Sequence, residues 1–275
     1  MSNFVQRLLT GAVFISFVLA GIAWNEYSYL LVFAVCVFLG MFEFKKLLTT
    51  KSVRIQAGWA FLIGFYMFFV HYYYLKGIIS LGWFVLLIPM FLAVFVTELY
   101  RKSESPLTNI AYTLLTPLYI ALPFASLHYI ALYLIEYDPR PLLAFFVLIW
   151  CNDTFAYLAG RAFGKRRLFE RVSPKKSWEG AIGGFLATLL AAYILSRIFP
   201  DILVWNFIIW LIIGAIISVA GVFGDLVESM IKRSVNKKDS GALLPGHGGV
   251  LDRFDGVLFA APAVCCFLMI LKLVF

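Results

Sequence analysis

Apolar residues fill long runs of this chain, and most polar residues are gathered into the short segments between them. Each run approaches or exceeds the roughly 20 residues that a helix needs to cross a bilayer. We therefore expect an all-α, polytopic membrane protein with about nine transmembrane helices. The predicted spans are residues 8–24, 27–47, 57–75, 78–100, 106–135, 142–163, 178–198, 203–224 and 254–274.

The fifth run, residues 106–135, is longer than one bilayer crossing requires, and it contains Pro117 and Pro123. Proline removes an intrahelical hydrogen bond and bends or breaks a helix. We interpret the run as one long span that is kinked or broken. Two re-entrant pieces are the alternative.

Lysine and arginine are distributed unevenly between the two sides of the predicted membrane. With the N-terminus inside, 19 of the 23 cationic residues fall on inner segments and 4 on outer segments. Cytoplasmic loops of membrane proteins carry such an excess of positive charge. We therefore expect a cytoplasmic N-terminus and an external C-terminus, with both polar constellations described below on the cytoplasmic side.

Composition agrees with a membrane protein. Hydrophobic residues make up 63% of the 275 residues and the mean hydropathy is +0.91, whereas a soluble domain is about half apolar. The net charge of +8 suits attraction to anionic lipid and nucleotide and does not imply nucleic acid. We expect residues 1–140 to form N-terminal transmembrane helices and residues 141–275 to form a catalytic transmembrane region with a cytoplasmic loop.

One acidic residue, Glu43, lies near the end of the second predicted span and is followed by Lys45 and Lys46. We interpret Glu43 as an interfacial residue that pairs with those lysines.

Charged residues crowd into residues 224–255, against an apolar background. The stretch contains a glycine-rich turn, Pro245-Gly246-His247-Gly248-Gly249. Glycine lets a backbone approach a phosphate closely with N–H groups pointing inward. Carboxylate oxygens at the edge of such a turn suit Mg²⁺ that bridges phosphate oxygens. The residues alone therefore predict metal-assisted phosphate chemistry at a membrane surface.

The polar residues of this stretch have a distinctive spacing. It reads Ser229-x-x-Lys232-Arg233, four residues, Lys238-Asp239, five residues, then Pro245-Gly246-His247-Gly248-Gly249-x-x-Asp252-Arg253-x-Asp255. This spacing resembles the signature of the phosphatidate cytidylyltransferases, also called CDP-diacylglycerol synthases.

The resemblance implies an enzyme of phospholipid biosynthesis that joins CTP and phosphatidic acid into CDP-diacylglycerol and pyrophosphate. It implies a multi-pass protein of the inner cell membrane whose active site faces the cytoplasm. The expected cofactor is Mg²⁺, and the expected partners are the two substrates and the lipid bilayer, without nucleic acid. A homodimer is left open.

A second constellation lies in and after the sixth span. Asp153 shares a helix face with Tyr157 and Arg161, and a carboxylate inside a span costs a few kcal/mol unless it is paired or hydrated. Asp153 is therefore a functional candidate, with a structural pair to Arg161 as the alternative. After it, Ser173 and Pro174 predict a helix start, where Lys175 and Lys176 form a phosphate site. The following Gly180-x-x-Gly183-Gly184 predicts close helix packing.

We assign roles within these constellations as hypotheses. Asp225 and Asp252 are the expected catalytic metal ligands, with Asp255 and Asp153 as further metal candidates. We expect Asp153 and Lys176 to lie in one polar cavity with Asp225 and Asp252, and Glu228 to face solvent. The other assignments are Lys232, Arg253 and His247 as catalytic residues, and Arg161, Lys175, Lys176, Ser177, Arg233, Lys238, Gly246, Gly248 and Gly249 as substrate-binding residues.

Two other classes of protein share parts of this pattern. A CTP-dependent polyprenol or phytol kinase would combine an apolar chain with a cytoplasmic phosphate site. A transporter would place charges near mid-span, between repeats. Here most charges cluster at one interface, which disfavours a transporter.

Overall fold

A computed structural model of the protein describes residues 3–50, 52–133, 136–202, 206–241 and 248–274, with side chains from residue 11 onwards. Within these ranges the protein is almost entirely helical. The elements, in chain order, are α1 (Asn3–Trp24), α2 (Glu26–Leu48), α3 (Ala57–Leu75), a 3-10 helix (Leu81–Leu86) that leads into α4 (Leu87–Arg101), α5 (Pro106–Thr116), a π-helical turn (Pro117–Ala121), α6 (Leu122–Ala131), α7 (Pro139–Phe163), β1 (Arg167–Phe169), β2 (Ser173–Ser177), α8 (Trp178–Ile198), α9 (Phe207–Ser234) and α10 (Leu251–Val274).

The helical segments coincide with the apolar runs of the sequence. In the described part of the chain, seven segments are long and apolar enough to cross a membrane. The first helix adds a shorter apolar stretch, Gly11–Trp24, and α3 has 19 residues. These segments confirm the all-α, polytopic membrane fold, while the orientation of the termini stays a prediction. The seven are Glu26–Leu48, Leu81–Arg101, Pro106–Ala131, Pro139–Phe163, Trp178–Ile198, Phe207–Ser234 and Leu251–Val274.

Polar residues between the apolar runs determine where two of the helices begin. The Asn25 side chain accepts hydrogen bonds of 2.9 Å from the N–H groups two and three residues later, at the start of α2. Asn206 accepts two equivalent bonds of 3.0 Å at the start of α9. Such caps satisfy N–H groups that have no partner within the helix. Helix ends therefore coincide with the breaks in hydropathy.

The segment Pro106–Ala131 is helical without interruption, which agrees with one span rather than two re-entrant pieces. Its irregular part is the π-helical turn, which begins at Pro117, and Pro123 lies in the first turn of the helix that follows. A wider turn accommodates the hydrogen bond that proline cannot donate. The predicted end of this span, at residue 135, lies outside the described residues.

The prediction that a helix begins at Ser173 is wrong. Residues Ser173–Ser177 form strand β2, which pairs antiparallel with β1. Helix α8 begins at Trp178 instead, where Ser177 Oγ accepts a hydrogen bond of 3.2 Å from Gly180 N. The residue before a proline is disfavoured in helical conformation, so Ser173 begins the strand and Ser177 caps the helix.

The chain divides into two compact units. Unit 1 contains Met1–Tyr137 together with Lys237–Arg253, and unit 2 contains Asp138–Asn236 together with Phe254–Phe275. We call Lys237–Arg253 the signature segment. The sequence predicts that this segment belongs to the C-terminal catalytic region. In the structure its contacts group it with the N-terminal helices instead.

Unit 1 buries one acidic side chain on α4. Glu98 is 3% exposed. It accepts hydrogen bonds from Gln56 Nε2 at 2.7 Å, Asn109 Nδ2 at 2.6 Å and Ser103 Oγ at 2.5 Å, and it pairs with Arg101 at 2.8 Å. These donors offset the cost of removing the carboxylate from water.

In unit 2, helices α7 and α8 approach each other at backbone distance. A Cβ atom on Gly180 would lie 2.7 Å from Ala156 O, and one on Gly184 would lie 2.8 Å from Asn152 O. This close packing confirms the expectation from the glycine spacing. It holds α7, which carries Asp153, against the beginning of α8, the helix that directly follows Lys176 and Ser177.

Candidate active site

The centre of the polar site in unit 2 is Asp225 on α9. Its Oδ2 atom lies 2.6 Å from the Nζ atom of Lys176, which comes from strand β2. Its Oδ1 atom accepts a hydrogen bond of 3.2 Å from Ser229 Oγ, one turn later on the same helix. Lys176 Nζ also lies 3.5 Å from Val222 O. Lys176 therefore links strand β2 to the part of α9 that contains Asp225.

Two further carboxylates belong to this site. Asp255, on α10, interacts electrostatically with Asp225, Asp153 and Lys176. The structure thus brings together three predicted metal candidates and a predicted substrate lysine. We call these four residues the acidic cluster. It contains three carboxylates and one lysine, so an added cation would be attracted to it.

Gly224 allows α9 and α10 to meet beside the acidic cluster. A Cβ atom on Gly224 would lie 2.3 Å from Asp255 O and 3.2 Å from Gly256 Cα. The space beside Gly224 is therefore filled by the backbone of α10. The glycine positions Asp255, and it does not leave room for a ligand.

Lys232 and Glu228 form a buried pair on α9. Glu228 is 1% exposed and Lys232 is 8% exposed, and Lys232 Nζ lies 3.4 Å from Glu228 Oε1. The expectation that Glu228 faces solvent is wrong, because its side chain is almost fully buried. Lys232 accordingly carries a compensated charge, and its predicted catalytic role requires it to reach out from this pair.

In unit 1, Asp252 holds the signature segment together from its interior. Its Oδ2 atom accepts hydrogen bonds from Gly249 N at 2.7 Å, Ser240 N at 3.1 Å and Ser240 Oγ at 2.9 Å. Gly248 has φ +81°, and a Cβ atom there would lie 2.5 Å from Asp252 Oδ2. The turn at Gly248 and Gly249 is therefore shaped by the Asp252 carboxylate.

The carboxylate of Glu43 also binds this segment, and the sequence did not predict this contact. Glu43 on α2 is 2% exposed. It accepts hydrogen bonds of 3.0 Å from Val250 N and from Leu251 N, and its Oε2 atom lies 3.3 Å from Ser240 Oγ. The predicted pairing with neighbouring lysines is wrong, because the N-terminus of α10 offers N–H donors in a dry environment. The available signal was a carboxylate among apolar residues at the end of a span.

The other residues with predicted roles are mostly at the surface. Gly249 donates its N–H to Asp252, and Ser177 is buried and caps α8. Arg161 forms no ion pair in the described ranges, so it is not the partner of Asp153. Gly246 and His247 lie outside the described residues. Arg161, Lys175, Arg233, Lys238 and Arg253 are exposed.

Among the described residues, no three acidic, histidine or cysteine side chains converge closely enough to form a metal site by themselves. The donors of the acidic cluster are carboxylate oxygens, the type that Mg²⁺ prefers. Mg²⁺ is commonly bound by one or two carboxylates together with waters and substrate phosphates. The residues fit a shared site of that kind, and magnesium stays a prediction.

Comparison with known proteins identifies the family. A family model described as "Cytidylyltransferase family" matches residues 5–271, nearly the whole chain. The chain belongs to the cytidylyltransferase family. The match extends over both constellations, and not only over the signature. It confirms the resemblance drawn from the spacing of residues 229–255.

Individual relatives agree with the family model. Over 123 residues the chain is 48% identical to the phosphatidate cytidylyltransferase of Haemophilus influenzae, covering 44% of this chain and 43% of the relative. Over 204 residues it is 37% identical to that of Staphylococcus saprophyticus, covering 68% and 77%. The Thermotoga maritima enzyme is 46% identical over 116 residues, covering 41% and 43%. The matched region thus spans less than half of two of these relatives.

Proposed function

We propose that the protein is a phosphatidate cytidylyltransferase, which transfers the CMP moiety of CTP to phosphatidic acid and releases pyrophosphate. The match of the family to residues 5–271, together with the relatives named phosphatidate cytidylyltransferase, supports this proposal. The acidic cluster and the signature segment supply the residue chemistry that the reaction requires.

In the proposed reaction, a phosphate oxygen of phosphatidic acid attacks the α-phosphorus of CTP. A new phosphorus–oxygen bond forms, and the bond between the α-phosphorus and its bridging oxygen to the β-phosphate breaks. The bonding electrons leave with pyrophosphate. The attacking oxygen is already ionised, so the protein needs no side-chain nucleophile. Its main task is to align two anions and offset their repulsion.

The described residues divide this task between them. Asp225, Asp255 and Asp153 would hold Mg²⁺, and a metal role for Asp252 stays a separate prediction. When bound, Mg²⁺ would supply charge neutralisation at the phosphate oxygens. Lys176, whose Nζ atom lies 2.6 Å from Asp225 Oδ2, would contact a phosphate oxygen. The exposed Arg233, Lys238 and Arg253 would attract the triphosphate to the membrane surface.

The proposal includes a location and an orientation. The chain is a multi-pass membrane protein by its helices, and the excess of inner cations predicts that its active site faces the cytoplasm of the inner cell membrane. CTP is a cytoplasmic metabolite, so this orientation makes the substrate accessible. A homodimer stays a prediction.

A lipid kinase that uses CTP is the second candidate, and the position of a label separates the two. Purified protein is incubated with phosphatidic acid, Mg²⁺ and CTP that carries the label at either the α- or the γ-phosphorus. We expect lipid-bound label only from the α-position, together with released pyrophosphate. Lipid labelled from the γ-position, or no transfer from either position, would contradict the proposal.

A further inference from the structure

We infer that Glu43 is a positioning residue of the active site: from α2 it holds the beginning of α10 and the Gly248–Gly249 turn in the geometry that the reaction needs. This inference rests on the proposed function. It assigns a role in the reaction to a residue that lies far outside the signature and that is separated from its partners by about two hundred residues of sequence, 207 in the case of Val250.

Glu43 supplies hydrogen-bond acceptors to backbone N–H groups at the start of α10. The N–H groups of a first helical turn have no acceptor within their own helix. At α10 two such groups, those of Val250 and Leu251, donate to the two different oxygens of Glu43 at 3.0 Å each. The carboxylate thus acts as a helix cap supplied by another helix, and its negative charge suits the helix N-terminus.

Ser240 connects Glu43 to Asp252. Ser240 Oγ lies 3.3 Å from Glu43 Oε2 and 2.9 Å from Asp252 Oδ2. Asp252 in turn accepts from Gly249 N at 2.7 Å. If Glu43 moves, we expect Ser240 to transmit the displacement to Asp252, the predicted metal ligand, and so to the Gly248–Gly249 turn.

The signature segment also packs closely against the side chain of Glu43. A Cβ atom on Gly249 would lie 2.3 Å from Glu43 Oε2, and one on Gly241 would lie 2.7 Å from Glu43 Oε1. Two glycines of the signature segment are therefore in direct contact with this carboxylate. The signature segment therefore packs against the carboxylate of Glu43 as well as against its own Asp252.

Glutamine is the most informative replacement. It keeps the size of the side chain, but it turns one acceptor oxygen into an NH₂ donor that faces an N–H donor. One of the two capping bonds is lost and a buried donor is left unpaired. Aspartate keeps the charge with a shorter reach, so Glu43→Asp should restore part of what Glu43→Gln loses.

A buried carboxylate with a purely structural role is available as a matched control. Glu98 lies in the same unit, is similarly buried, and is bonded to residues of the N-terminal helices and their loops. Glu98→Gln should lower thermal stability in detergent by a similar amount, without changing the signature segment. The comparison separates positioning from general loss of stability.

The experiment measures two quantities on the full chain in detergent or nanodiscs. The first is hydrogen–deuterium exchange of the peptide that contains Val250 and Leu251. The second is turnover of CTP and phosphatidic acid at saturating Mg²⁺. For Glu43→Gln we expect faster exchange and a turnover loss of about 10- to 100-fold, the scale of residues that orient a metal ligand. Glu43→Asp should recover part of both, and Glu98→Gln should leave both near the wild-type values.

The outcomes distinguish this inference from the proposed function. Unchanged exchange in Glu43→Gln, or a turnover loss no larger than that of Glu98→Gln, would overturn the positioning role. If Glu43→Gln does not fold, Ser240→Ala tests the same bridge, and wild-type turnover there overturns it. If the wild-type protein itself makes no CDP-diacylglycerol, the proposed function fails, while the exchange measurement still decides whether Glu43 holds the segment.

Discussion

Replacing Gly248 by alanine should impair the reaction much more than it impairs folding. Gly248 has φ +81°, a conformation that costs an ordinary residue roughly 1–2 kcal/mol. The added Cβ atom would also lie 2.5 Å from Asp252 Oδ2, which is too close for the carboxylate to stay in place. Movement of Asp252 breaks its 2.7 Å bond from Gly249 N.

The size of the effect follows from that bond. A hydrogen bond to a charged group contributes about 1.5–3 kcal/mol. If the transition state requires the intact turn, its loss corresponds to a decrease in turnover of roughly 10- to 150-fold. Valine at the same position adds two methyl groups and should lower turnover further.

Gly77 provides a matched control for the backbone term. It also has a positive φ, +70°, but no other atom lies within 4 Å of a Cβ placed there. Gly77→Ala therefore carries the conformational cost without the clash. The assay compares turnover and thermal stability of both alanine variants in detergent. Equal turnover in Gly248→Ala and Gly77→Ala, with both proteins folded, would refute the role of the Gly248 turn.

Three further predictions concern the acidic cluster, the helix packing and the topology. Asp225→Asn should lower turnover by roughly a hundredfold or more, the scale of one electrostatic element of a preorganised site. Near wild-type turnover at limiting Mg²⁺ would remove Asp225 from the metal site. Gly184→Val should lower thermal stability by several degrees or prevent insertion, because its side chain would meet Asn152 O, and normal stability would contradict the close packing of α7 and α8. A reporter fused after Phe275 should lie outside the cytoplasm, and a cytoplasmic reporter would contradict the orientation predicted from the cation distribution.

The spans could be predicted from the sequence because the bilayer imposes both their length and their polarity. The acidic cluster was also within reach. Asp153 stood out as a carboxylate inside a span, and Asp225 and Asp255 belonged to a recognisable spacing. Local patterns of this kind contain their own evidence, since the residues that determine them are close in sequence.

What failed were inferences about residues whose structure is decided by contacts with another part of the fold. Ser173 and Pro174 match a helix start, and only pairing with β1 shows that they form a strand. Glu43 has two lysines beside it, but its actual donors follow about two hundred residues later. Glu228 also has a helix position that permits exposure, and only tertiary packing buries it. For Ser173 and Glu43 the partner that decides the structure lies on another element, and for Glu228 the burial of its helix face decides.

The distance between Glu43 and its donors also has a consequence for how the protein is made. Ribosomes add about 5–20 residues per second, and Val250 is 207 residues further along the chain than Glu43. The second helix therefore waits roughly 10–40 s in the nascent protein before the amides that cap its carboxylate have been synthesised. During that interval Glu43 depends on water or lipid head groups for its hydrogen bonds. Assembly of the glycine turn is thus a late event of biogenesis, and a chain interrupted before Val250 leaves Glu43 without the backbone donors of the signature segment.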